Sequence, residues 1–126
     1  MSSLEVLVVE DDKDFADSVA EMLELDGHQV TVLASGEEAV ANYDEKTFDL
    51  VLLDIKLPGM SGLECLRAIR TINPIANVMI MTGAHTEQNR QEAKASGALH
   101  VLLKPFDPLR LRELVKHNFS TSGNAT

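Results

Sequence analysis

The sequence predicts an α/β fold: a single doubly wound, five-stranded parallel sheet with five helices on its two faces. Short apolar runs alternate with segments of helical periodicity along the whole chain. The run Leu50-Val51-Leu52-Leu53 is apolar throughout, which is typical of a strand buried on both faces. Because a parallel connection needs a crossover of helical length, the alternation indicates parallel strands.

The predicted strands are short, and a helix follows each one. They cover residues 4–9, 29–33, 49–53, 77–81 and 101–103. The first helix ends before Gly27, and Ser35 is the N-cap of the second. The third carries Leu63 and Leu66 on its apolar side. A polar fourth helix covers residues 86–96, and Pro108 opens the last one.

Composition limits the classes of protein. The 126 residues suit one domain, predicted for residues 1–119, and the polar tail at residues 120–126 is either a free end or the start of a linker. With 11 basic and 20 acidic side chains the formal net charge is −9, which disfavours binding to nucleic acid. The apolar runs are far shorter than the ~20 residues that span a bilayer, and the N-terminus lacks the basic segment of a signal peptide.

Reactive side chains follow four of the five predicted strands. Because the carboxyl ends of parallel strands meet at one edge of the sheet, we expect these side chains to lie close together. They are Glu10, Asp11 and Asp12 after the first strand, Asp54 after the third, Thr82 after the fourth and Lys104 after the fifth. Taken alone, Asp11 and Asp12 could equally cap the first helix.

Together these residue types indicate phosphoryl chemistry. Clustered carboxylates repel one another unless a cation neutralises them, and a site of oxygen ligands alone favours Mg²⁺. Lys104 supplies a positive charge for an anion, and the Thr82 hydroxyl can bond a phosphoryl oxygen. Asp54 is the candidate nucleophile, because a carboxylate can accept a phosphoryl group as an acyl phosphate.

Four blocks of sequence, in order and in spacing, resemble the receiver domains of two-component response regulators. The blocks are residues 7–12 (LVVEDD), 49–62 (DLVLLDIKLPGMSG), 81–83 (MTG) and, after Gly97-Ala98, 103–106 (LKPF). The resemblance covers residues 4–118. It implies a flavodoxin-like sheet with the strand order 2-1-3-4-5.

The resemblance also assigns roles by position. Asp54 matches the aspartate that accepts the phosphoryl group. Asp12, Asp54 and the backbone carbonyl of Lys56 match the Mg²⁺ ligands, and Asp11 matches an acid that usually acts on the ion through water. The Lys56 side chain either attracts the phosphoryl group or points into solvent.

The implied function is a phosphorylation-controlled switch rather than a conventional enzyme, since it catalyses only its own phosphoryl uptake and loss. Thr82 matches the switch hydroxyl and Lys104 the lysine that pairs with the phosphate, with a cis bond to Pro105. The implied donor is a histidine kinase or a phosphotransfer protein. A downstream protein or a covalently linked domain provides the output, and the implied location is the cytoplasm.

One position departs from the family pattern. The residue three before the conserved lysine is commonly Tyr or Phe, and here it is Val101, which has no ring to move. We therefore expect movement of the helix at residues 86–96 to carry more of the output. Ala93 and Ala95 are its best candidates for docking, so we expect weak docking and low local stability.

Several residues are expected to be structural. Cys65 is predicted to be an idle thiol, and the strand residues Met79 and Met81 are predicted to be core. The basic residues of the last helix are expected to form a solvated face: Arg110, Arg112 and Lys116.

Two rival functions would leave different marks in the sequence. An aspartyl-phosphate phosphohydrolase resembling the haloacid dehalogenases carries Asp-x-Asp at its nucleophile, whereas this chain has Asp54-Ile55-Lys56. A flavodoxin-like carrier of FMN needs a Ser/Thr/Gly-rich phosphate loop and aromatic residues against the flavin. Here the first strand ends in acids, and aromatic residues are 4% of the chain. Both rivals are therefore disfavoured.

Overall fold

A computed structural model describes residues 3–44, 47–83 and 86–119. The predicted tail, residues 120–126, lies outside the described residues. The strands are β1 (Glu5–Val9), β2 (Gln29–Leu33), β3 (Leu50–Asp54), β4 (Val78–Thr82) and β5 (His100–Leu103). The helices are α1 (Lys13–Leu25), α2 (Gly36–Asn42), α3 (Gly62–Ile72), α4 (Glu87–Ala95) and α5 (Pro108–Phe119).

The five strands form one parallel sheet in the order β2-β1-β3-β4-β5, which confirms the predicted fold class and strand order. The chain continues from β1 toward one edge of the sheet and from β3 toward the other. A crevice therefore opens beyond the carboxyl ends of these two adjacent strands. Asp54 and Thr82, predicted to follow their strands, are instead the last residues within them. Asp54 pairs in register with Met81, and Thr82 with Leu103.

The sheet has one apolar cluster on each face. On the α1/α5 face, Val8, Leu52 and Met81 pack with residues of α1 and α5. On the α3/α4 face, Leu53 and Ile80 pack with residues of α2, α3 and α4. Because side chains alternate along a strand, position along the chain decides which face a residue at a strand end belongs to.

The start of α3 lies directly against the end of β3. The Gly62 N–H donates a hydrogen bond to the Ile55 carbonyl at 2.7 Å. A Cβ atom on Gly62 would lie 2.0 Å from the Asp54 carbonyl oxygen. Only glycine permits this approach, which fixes the chain that leaves Asp54 against the amino end of a helix.

The structure bears out most of the residues expected to be structural. Met79, Met81 and Cys65 are fully buried, and burial raises the pKa of the Cys65 thiol to about 11. Arg112 corrects the prediction of a solvated basic face. Its guanidinium forms two hydrogen bonds with Asp26, at 2.9 and 2.7 Å, and so links α5 to the end of α1. Across the described ranges, no helix has both the length and the apolar character to cross a membrane.

Candidate functional site

Lys104 lies between two acids at the carboxyl edge of the sheet. Its Nζ donates to Glu10 Oε1 at 2.5 Å and to Asp54 Oδ2 at 3.2 Å. The exposed fractions of the side chains are 21% for Lys104, 1% for Glu10 and 8% for Asp54. The ammonium group therefore bridges two carboxylates that water barely reaches, where charges interact more strongly than at an open surface.

Burial and pairing act against each other in this cluster. Burial raises the pKa of the Glu10 carboxyl above its usual value, although the hydrogen bond from Lys104 opposes the rise. Burial alone would lower the pKa of Lys104, but its hydrogen bond to Glu10 and the charge of Asp54 outweigh that effect and raise it. Lys104 is therefore held as a cation by the acids around it.

A third carboxylate, that of Asp11, lies close to the two that Lys104 bridges. Oxygen atoms of Glu10, Asp11 and Asp54 all lie within 4.8 Å of one another. Glu10 and Asp54 are buried, whereas Asp11 is exposed. Every possible metal ligand in this group is a carboxylate oxygen, the type of ligand that a hard divalent cation such as Mg²⁺ prefers. The residues present therefore fit the cation that the sequence predicts.

Asp12 takes the capping position that the sequence left open for it. Its Oδ1 accepts a hydrogen bond from the Phe15 N–H at 3.2 Å, so that Asp12 is the N-cap of α1. Its own N–H donates to Glu10 Oε2 at 3.0 Å. The structure thus brings Asp11 and Asp54 together as predicted and groups Glu10 with them, while the Asp12 side chain caps the helix.

A signal for Glu10 was present in the sequence. Val6, Val8 and Glu10 lie two residues apart, so the strand pleat directs all three to the same face. Leu52 and Asp54 repeat this relation in β3. Glu10 therefore continues an inward-facing row at the end of β1, which the grouping of three consecutive acids conceals.

Lys56 and Thr82 flank the acids. The Lys56 N–H donates to Asp54 Oδ1 at 3.3 Å, and the residue is exposed. Thr82 is 1% exposed, and its carbonyl accepts from the Lys104 N–H at 2.9 Å. The Lys104-Pro105 bond is cis, as predicted. By the alternation along β4, Thr82 belongs to the α3/α4 face, opposite to Glu10, Asp54 and Lys104.

A comparison with protein families decides the classification. The family described as the response regulator receiver domain matches residues 6–116. The chain belongs to this family. Membership agrees with the strand order, the acidic cluster and the lysine at the end of β5, and it gives no support to either rival function.

Curated relatives of two different lengths match this chain. The transcriptional regulatory protein ZraR of Salmonella typhimurium is 36% identical over 113 residues, which are 90% of this chain and 26% of the relative. The sporulation initiation phosphotransferase F of Bacillus subtilis is 34% identical over 124 residues, which are 98% of this chain and 100% of the relative. The chain thus spans about a quarter of the length of the first relatives and all of the other.

Solved structures agree with the fold and with the acidic site. A CheY-like receiver domain protein from Methanospirillum hungatei superposes with a TM-score of 0.89 at 30% identity, covering 99% of this chain and 100% of that one. The receiver domain of a sensor histidine kinase from Pseudomonas aeruginosa superposes with a TM-score of 0.82 at 26% identity, covering 92% and 97%. That structure holds a magnesium ion coordinated in its active-site cleft.

These findings establish the function at the level of the family. The chain is a CheY-like phosphoacceptor domain of the kind found in two-component systems. The family binds Mg²⁺ in its acidic site.

Proposed function

We propose that Asp54 is the phosphoacceptor and that a histidine kinase or a phosphotransfer protein is the donor. The observation that carries this proposal is the position of Asp54, which is buried at the end of β3 and bonded through Oδ2 to the Lys104 ammonium. A carboxylate oxygen of Asp54 forms a bond to phosphorus as the bond from phosphorus to the donor imidazole nitrogen breaks. The nitrogen keeps the electron pair of the broken bond.

The residues around Asp54 suit each stage of this transfer. We assign Glu10, Asp11, Asp54 and the Lys56 backbone carbonyl as the residues that hold Mg²⁺. Bound there, the ion would offset the charge of the acids and of the incoming phosphoryl oxygens. Lys104 adds a second positive charge beside Asp54. The Thr82 hydroxyl is assigned to a phosphoryl oxygen of the product.

The acceptor is tested with acetyl phosphate and Mg²⁺, and phosphoryl uptake is followed by intact mass. Asp54→Asn is expected to abolish uptake, because an amide cannot form the acyl phosphate. Asp49→Asn is the matched control, since Asp49 lies at the opposite edge of the sheet and accepts from the Glu5 N–H at 2.8 Å. Uptake that persists in Asp54→Asn would refute the assignment.

The set of metal ligands is tested by a second pair of matched variants. Glu10→Gln is expected to weaken Mg²⁺ binding about tenfold or more, equivalent to ~1.4 kcal/mol, in a calorimetric titration. Asp12→Asn is expected to leave the affinity within about twofold, because asparagine caps a helix as well as aspartate does. Weak binding in Asp12→Asn with normal binding in Glu10→Gln would restore Asp12 as the ligand.

We propose that the output surface is controlled through α4. Thr82 shares the α3/α4 face with Val101, which is partly buried against the apolar cluster there. In α4 Ala93 is buried, whereas Ala95 is exposed. A phosphoryl group that engages Thr82 therefore acts next to a helix with one small apolar anchor. Such a helix can shift at low cost in packing energy.

The partner that reads this surface is proposed to be a separate protein or a covalently linked output domain. The chain matches one relative over its whole length and another over about a quarter of its length, which supports both alternatives. Self-catalysed uptake and loss of the phosphoryl group, without turnover of another substrate, is the activity we expect of the isolated chain. A cytoplasmic location stays a prediction from the family resemblance.

A further inference from the structure

The Lys104 ammonium has a third neighbour besides its two carboxylates. Its Nζ lies 4.3 Å from the centroid of the Phe15 ring. A cation at this distance from an aromatic ring is attracted by the negative face of the ring. The ammonium has three N–H groups, and its hydrogen bonds to Glu10 and Asp54 use two of them.

The ring is held in place from two directions. Phe15 belongs to the first turn of α1, where its backbone N–H donates to the Asp12 cap. The ring of Phe106 lies against it, with centroids 5.8 Å apart and an interplanar angle of 86°. Phe106 follows Lys104 by two residues, so the same loop provides both the ammonium and the ring that supports Phe15.

We infer that Phe15 is a positioning residue for Lys104, in that its ring keeps the ammonium directed at Asp54 during phosphoryl transfer. This inference rests on the proposed role of Asp54. Transfer changes the contact between Lys104 and Asp54, because one Asp54 oxygen becomes the bridging oxygen of the acyl phosphate. The contact with Phe15 involves no reacting atom and therefore persists through the step.

An apolar side chain at this position could also act simply by filling space. The two roles differ in what they require of residue 15. Space filling needs volume, which leucine largely supplies, whereas a cation–π contact needs a ring. Phe15→Leu and Phe15→Tyr therefore form the informative pair, and Lys104→Met removes the charge that the ring would hold.

The first experiment measures the rate of phosphoryl uptake from acetyl phosphate with Mg²⁺, which avoids any protein partner that docks on α1. Phe15→Leu is expected to slow uptake about five- to tenfold, and Phe15→Tyr to stay within about twofold of wild type. In the Lys104→Met background, Phe15→Leu is expected to change the rate less than about twofold. Equal slowing with and without Lys104, or no slowing at all, would overturn the inference.

The second experiment does not depend on phosphoryl transfer. The Lys104 ε-methylene protons, next to Nζ and close to the ring, are expected to show an upfield ring-current shift in NMR spectra of wild type and Phe15→Tyr. In Phe15→Leu they are expected to return to the values of exposed lysines. Identical shifts in wild type and Phe15→Leu would overturn the inference, whatever the rates of phosphoryl uptake. Uptake that persists in Asp54→Asn would refute Asp54 as the acceptor. The NMR measurement would still test the contact between Phe15 and Lys104.

Discussion

The helices α1 and α4 border the site from opposite faces of the sheet and are held in different ways. α1 buries Ala16, Val19, Ala20 and Leu23, and Asp26 at its end is paired with Arg112 of α5. α4 buries Ala93 alone among its residues. Two polar contacts also hold its end, where Lys94 Nζ donates to the Leu99 carbonyl at 2.9 Å and Arg67 Nε to Ser96 Oγ at 3.3 Å.

The difference predicts that one side of the site is fixed and the other can move. Burial of apolar area is the main term that holds a helix to a sheet, and α1 buries much more of it than α4 does. The start of α1 fixes Phe15 beside Lys104 and the Asp12 N–H beside Glu10, so motion there would disturb the phosphoryl site itself. Motion of α4 is expected to change a surface and to leave the acids in place.

The largest expected effect contrasts one core substitution in each helix. Leu23→Ala is expected to lower the free energy of unfolding by about 2–5 kcal/mol, because Leu23 is fully buried and its loss leaves a cavity. Ala93→Gly is expected to cost only about 1 kcal/mol, mainly through helix propensity. Denaturant unfolding of both variants measures the difference. Equal losses would contradict the contrast between the two helices.

Hydrogen exchange is expected to show the next largest difference. Amides of α4 should exchange at least about tenfold faster than those of α1, an opening free energy lower by ~1.4 kcal/mol or more, because little apolar area holds α4. A beryllofluoride mimic of the phosphoryl group should change protection in α4 and leave α1 nearly constant. Uniform protection in α4, unchanged by the mimic, would refute its role in the output.

The smallest expected effect concerns the connection that follows α1. His28 is buried and its Nδ1 accepts a hydrogen bond from the Leu4 N–H at 3.0 Å. Burial lowers the pKa of His28 below 6.5, although the charge of Asp26 opposes this shift. The unfolded chain therefore binds the proton first as the pH falls, so the contribution of His28 to stability is complete above pH 6.5 and is lost as the pH drops through the folded pKa.

His28→Gln removes this titration, and its amide oxygen can still accept from Leu4. As the pH falls below about 6.5, the free energy of unfolding of the variant should fall less steeply than that of wild type. Denaturant unfolding at several pH values measures the two slopes. Parallel slopes would show that His28 is not held neutral by the fold.

Much of the fold followed from sequence because each element carried its own local signal. β2 has the predicted bounds, and Pro108 opens α5 as expected. β3 and β4 end one residue later than predicted, because Asp54 and Thr82 are polar and polar residues are typical of loops. Polar residues can end a buried strand when hydrogen-bond partners lie nearby, and sequence patterns alone do not show those partners.

The site was predicted less completely than the fold. The convergence of Asp54 and Lys104 required only the strand order, which the alternation of elements and the family resemblance provided. The choice among three consecutive acids required the exact end of β1 and the cap of α1, which place Glu10 in the acidic group and Asp12 at the cap. Phe15 and Lys104 are 89 positions apart in the sequence, and no local sequence pattern predicts their contact.

The close approach of Gly62 to Asp54 also limits how this chain can vary. At position 62 any side chain meets backbone at 2.0 Å, so a saturation library should retain glycine almost alone. At Gly83 the nearest atom to an added Cβ is Lys104 Cβ, at 4.0 Å, and φ there is not in the left-handed region. The two glycines thus face opposite selection: Gly62 is locked by the backbone behind Asp54, the proposed acceptor, whereas Gly83 is open to substitution.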